Sequence, residues 1–98
     1  MPVNHVKIVR YKIWITGRVK GVGFRYHVKD LADNLGLKGY VKNTVAGVTI
    51  EVEGEADDLA TFISSLKTNY PPYARVEGVT MSEIIPKESA DFSILYEG

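Results

Sequence analysis

Gly17-Arg18-Val19-Lys20-Gly21-Val22-Gly23-Phe24-Arg25 separates two runs of different hydrophobic period. Upstream, Val6–Ile15 is rich in Ile, Val, Tyr and Trp and alternates, imperfectly, as a strand does. Downstream, Phe24, Val28, Leu31, Ala32 and Leu35 recur at steps of three and four, which is one apolar face of a helix, and Gly36 follows as its stop. The stretch is therefore a strand-to-helix turn. Its glycines let backbone N–H groups point inward with no Cβ in the way. Together with the positive end of the helix dipole, such a turn is an anion cradle. Arg25 adds a permanent cation to the first helical turn, where it opposes the dipole. A bound phosphate reverses that penalty, because guanidinium and phosphate match as a bidentate pair.

Beyond Gly36, Lys38–Lys42 forms a short second strand. Val48, Ile50 and Val52 then alternate with Thr49, Glu51 and Glu53 in a half-buried third strand whose polar residues are expected on the solvent face. Asn43-Thr44-Val45-Ala46-Gly47 joins these two as a hairpin loop. Leu59, Phe62, Ile63 and Leu66 make a second helical face, opened by Asp57-Asp58 and ended by Pro71-Pro72. Ala74–Ile85 is a fourth strand with Gly78 marking a bulge, and Phe92, Ile94 and Tyr96 alternate in a short final strand. The order β-α-β-β-α-β, plus that terminal strand, predicts an α+β split βαβ sandwich: an antiparallel sheet with two helices on one face. In that topology the first two strands run the same way with the third between them. The glycine turn and Asn43 then meet at one sheet edge, two strand spacings or roughly 10 Å apart.

A chain of 98 residues is expected to be one domain, with residues 1–5 a frayed extension. Twelve Lys and Arg balance twelve Asp and Glu, which argues against a dedicated nucleic-acid binder. The absence of cysteine removes thiol nucleophiles, disulfides and zinc–sulfur sites. No apolar run is long enough for a membrane span and no signal pattern opens the chain, so no membrane association is expected and the default compartment is the cytoplasm.

Gly17 to Arg25 resembles the first signature of the acylphosphatase family, G-x-V-x-G-V-x-F-R, and Gly39-Tyr40-Val41-Lys42-Asn43 with Gly47 beyond resembles its second. The resemblance runs from about Tyr11 to Tyr96. It implies a ferredoxin-like sandwich and metal-independent, cofactor-free hydrolysis of an acyl phosphate to a carboxylate and inorganic phosphate. By the same resemblance Arg25 holds the phosphate, Asn43 holds and orients the attacking water, and the backbone amides of Lys20, Gly21, Val22 and Gly23 bind the phosphoryl oxygens. A cytoplasmic monomer acting on small acyl phosphates is the matching expectation, and a chain ending at Gly98 points to a free-standing enzyme. The sequence departs from the family at Lys20, where glutamine is common; its side chain is expected to point to solvent. The Asn43–Gly54 hairpin is also one residue shorter than the common pattern, which bears on the aim of the Asn43 side chain.

Such chemistry suits few residues. A carboxylate leaves without protonation, so what remains is to aim water at phosphorus and to stabilise charge on three oxygens. Competing explanations are specific. The loop lacks the Gly-Lys-Ser/Thr of a Walker motif, and Tyr26 stands where a dinucleotide fingerprint wants glycine. Asn43 alone would be a hairpin residue tolerating positive φ. His27, one helical turn from the loop, reads as a partly exposed helical histidine before it reads as an acid or base. Trp14 and Tyr11 read as sheet-packing residues. A non-catalytic phosphate- or carbamoyl-phosphate-binding module is the main alternative function. RNA binding, which shares the sheet topology, is disfavoured by Glu51 and Glu53 on the third strand.

Overall fold

The computed structural model describes residues 7–96, so the expected extension at 1–5 and the start of the first strand at Val6 lie outside the described residues. The elements are β1 (Ile8–Arg18), α1 (Phe24–Asn34), β2 (Lys38–Asn43), β3 (Gly47–Glu55), α2 (Ala56–Thr68), β4 (Arg75–Ile84) and β5 (Phe92–Leu95). They build one five-stranded sheet in the order β4-β1-β3-β2-β5. β1 and β2 each pair antiparallel with β3, so they run the same way, as the split βαβ expectation requires. The sheet is mixed rather than antiparallel throughout, because the terminal strand joins β2 in parallel.

Periodicity explains the core. Ile13 and Ile15 of β1 stand opposite Ile50 and Val48 of β3, and these meet Phe24, Val28 and Ala32 of α1 and Leu59, Phe62 and Leu66 of α2 in one apolar cluster. Leu31, Leu35 and Ile63 border it, half-buried. α1 ends in a Schellman motif: the Leu37 amide donates to the Ala32 carbonyl at 2.8 Å and the Gly36 amide to Asp33 at 3.1 Å, with Gly36 at φ 69°. The expected irregularity at Gly78 is present. Gly78 pairs with Thr16 and Val76 with Gly17, which leaves Glu77 as the extra residue of a bulge. β1 runs three residues past the expected Ile15, since Gly17 and Arg18 continue the ladder to Val76 and Arg75.

Glu51 and Glu53 do not face solvent. They are buried at 4% and 5% exposure on the helix-free side of the sheet, beneath residues 85–91. Arg10, opposite Glu53 in register, donates from Nε to Glu51 at 2.9 Å and from Nη1 to Glu53 at 3.1 Å. The consecutive amides of Lys87 and Glu88 both donate to the Glu53 carboxylate, with Glu88 held at φ 56°. Alternation showed which face these acids take; it could not show that a later segment folds over that face.

Burial alone would raise the Glu51 carboxyl. Hydrogen bonds from Tyr40, Lys87 and Arg10 outweigh it and bring the group from 4.5 down to about 2. Tyr40 responds in the opposite sense: burial, then the Glu51 carboxylate, push its phenol up to about 12. Because the folded value of Glu51 lies below the unfolded one, its contribution to stability is complete above pH 4.5 and is lost as pH falls toward 2. A depression of that size corresponds to about 3 kcal/mol. Urea unfolding of the wild type should therefore weaken through that window. Glu51→Gln should be less stable at pH 7, with a flatter acid limb; an unchanged acid limb in the variant would refute the assignment.

Candidate active site

The cradle is built by two glycines in the left-handed region. Gly21 has φ 73° and Gly23, the N-cap of α1, has φ 80°. A Cβ at either position would meet nothing within 4 Å, so glycine is needed there for backbone conformation and not for space. Among the described residues no side chain caps α1, and no acidic residue lies in its first turn, whereas α2 opens with Asp57 and Asp58. The start of α1 thus keeps its positive end uncompensated and places Arg25 there as well.

Arg25 is half-buried and, among the described residues, has no carboxylate partner. Its Cζ lies 5.2 Å from the Tyr96 ring centroid, a cation–π contact that fixes the guanidinium at the end of β5. Tyr96 follows Leu95, Leu95 is the register partner of Lys42, and Asn43 follows Lys42. Arg25 and Asn43 therefore lie at one sheet edge, as topology predicted. The Tyr26 hydroxyl, 3.1 Å from that of Tyr96, holds the Tyr96 phenol above its ordinary value, so this ring is no base at neutral pH. Sequence reasoning missed Tyr26 and Tyr96. The parallel docking of β5 beside β2 is what brings them to Arg25, and no local pattern announces it.

Asn43 is the last residue of β2 and pairs with Val48. Among the described residues the one non-glycine with positive φ is Glu88, so turn geometry is not what requires an asparagine here. Its Oδ1 is buried and has no hydrogen-bond partner among the described residues. An orphaned acceptor of this kind costs about 1–3 kcal/mol, which a bound donor would remove. The turn that follows is closed by reciprocal bonds between Thr44 and Gly47, at 2.9 and 3.3 Å.

Lys20 does not point to free solvent. Its ammonium donates to the carbonyls of Thr44 at 3.0 Å and Val45 at 3.2 Å, strapping the cradle loop to the hairpin beyond Asn43. His27 is engaged away from the cradle. Its Nε2 donates to the Asn69 carbonyl at 2.6 Å and ties α1 to the end of α2. Among the described residues no three His, Asp or Glu side chains gather as a metal site, and no helix is long and apolar enough to cross a membrane.

The acylphosphatase family model matches residues 11–94. The chain belongs to the acylphosphatase family. It is 48% identical over 87 residues to an acylphosphatase from Ligilactobacillus salivarius, covering 88% of this chain and 97% of that one. The crystal structure of acylphosphatase from Bacillus subtilis superposes with a TM-score of 0.84 at 40% identity, over 90% of this chain and 99% of that one. Full-length HypF in its phosphate- and nucleotide-bound form contains a similar segment, with a TM-score of 0.91 and 39% identity, covering 95% of this chain but 12% of HypF. These acylphosphatases are matched almost end to end, and the ferredoxin-like α+β sandwich is the shared fold.

Proposed function

We propose that this acylphosphatase binds the phosphoryl group of an acyl phosphate on the amides of Lys20 to Gly23 and on Arg25, while Asn43 orients the attacking water. The observation that carries the assignment is the Oδ1 of Asn43, which has no partner among the described residues, at the edge where Arg25 has no carboxylate partner among those residues either. An acceptor oxygen can fix one water hydrogen and aim its lone pair at phosphorus. The new bond forms between the water oxygen and phosphorus. The bond from phosphorus to the acyl oxygen breaks, and its electron pair leaves with the carboxylate. The water proton passes to a phosphoryl oxygen of the substrate, so the protein supplies position and charge but no base. The accompanying expectation is a cytoplasmic monomer acting on free small molecules.

Benzoyl phosphate incubated with the protein in excess EDTA should be hydrolysed at the same rate as without chelator. Its kcat/KM should show no essential protein group titrating between about pH 5 and 8. Phosphate binding with no turnover would leave the non-catalytic binding module instead. A chelator-sensitive rate would overturn the metal-free route.

A further inference from the structure

The cradle loop has two flanks. On one, Lys20 reaches the hairpin that follows Asn43. On the other, Gly21 and Val22 line a cleft of about 720 Å³ together with Arg18, Tyr73, Arg75 and Glu77. The order β4-β1-β3-β2-β5 explains this: the loop leaves β1, with β3 and β2 to one side and β4 to the other.

Arg18 and Arg75 are direct register partners across β1 and β4. Opposed side chains in an antiparallel pair share a face, and like charges there are destabilising. Neither arginine is ion-paired among the described residues, and both are exposed. Glu77, the bulged residue of β4, also lines the cleft, which leaves its lining with one net positive charge. Opposed guanidinium groups beside an anion cradle are a poor choice for stability and a good one for a second anion.

Stereochemistry connects the cleft to the reaction proposed above, on which this inference rests. In an in-line displacement the leaving oxygen departs opposite the attacking water. Water held by Asn43 approaches from the β2 side, so the acyl group extends toward β4, where the cleft lies. We propose that this cleft is the acyl subsite, and that Arg18 and Arg75 select acyl phosphates bearing a further anionic group, such as a second carboxylate or phosphate.

The test compares benzoyl phosphate with 4-carboxybenzoyl phosphate, which adds one carboxylate to the same ring. In the wild type kcat/KM should favour the carboxylated substrate by fivefold or more. In Arg18→Gln/Arg75→Gln that ratio should fall about tenfold, and in Glu77→Gln it should rise two- to threefold. Glu77→Gln keeps the test independent of whether the double variant folds, which far-UV circular dichroism checks. A ratio unmoved in both variants, or equal losses on both substrates, would overturn the subsite. Failure of the wild type to hydrolyse either substrate would instead overturn the hydrolase assignment itself, so the two failures are distinguishable.

Discussion

Arg25→Ala is expected to lower kcat/KM for an acyl phosphate by about a thousandfold or more and to weaken competitive inhibition by inorganic phosphate in parallel. Removing one preorganised donor from an oxyanion site costs about 10²–10³ in rate, and arginines that stabilise transferring phosphoryl groups contribute about 10³–10⁵. Stability should behave differently. The guanidinium sits in the first turn of α1 against the helix dipole and has no carboxylate partner among the described residues. Relief of that opposition, about 0.3–1 kcal/mol, roughly offsets loss of the contact with Tyr96, about 0.5–1 kcal/mol. The urea midpoint should therefore barely move. Arg25→Lys should rescue little, since a point charge cannot reproduce a planar fork. A variant that keeps a tenth of its activity, or that loses activity only because it unfolds, would overturn the phosphate-holding role.

Residue patterns in the chain and the folded site agree where the determinant is local. The change from alternation to steps of three and four marks the β1–α1 junction, and Gly36 ends α1 through hydrogen bonds within one turn. Agreement fails where the determinant is a distant neighbour. β1 continues to Arg18 because Gly17 passes close to β4, where a Cβ would lie 2.1 Å from the Arg75 carbonyl oxygen. Glu51 and Glu53 have the spacing of a wet strand face, and their burial depends on residues 85–91 returning to cover them.

The same distinction holds in the site. The place of Arg25 and Asn43 in the fold was legible because each belongs to a contiguous motif, and because topology alone brings the ends of β1 and β2 to one edge. Lys20 was not, since an ammonium on a flexible stem takes whatever acceptors the fold supplies. Here these are the Thr44 and Val45 carbonyls. The glycine loop proposed to bind the phosphoryl group and the hairpin beyond Asn43, proposed to hold the water, are consequently one connected unit, which matters when small displacements of a reacting group cost large factors in rate.

Asn43→Ala should separate binding from turnover. The expected loss in kcat is about a hundredfold or more, with inhibition by inorganic phosphate unchanged within about twofold, because the cradle amides and Arg25 are untouched. Stability carries independent information. Were Asn43 present for the hairpin, truncation would weaken folding; instead it deletes a buried acceptor that has no partner among the described residues, so the urea midpoint should hold or rise. Asn43→Asp sharpens the distinction, since it keeps the shape and the acceptor oxygen but sets a negative charge beside the phosphoryl site. That variant should lose phosphate affinity as well as rate, and recover part of both as pH falls and the carboxylate protonates. Equal loss of phosphate binding and kcat in the alanine variant would make Asn43 a phosphate ligand. A water-orienting role requires that binding survive while turnover does not.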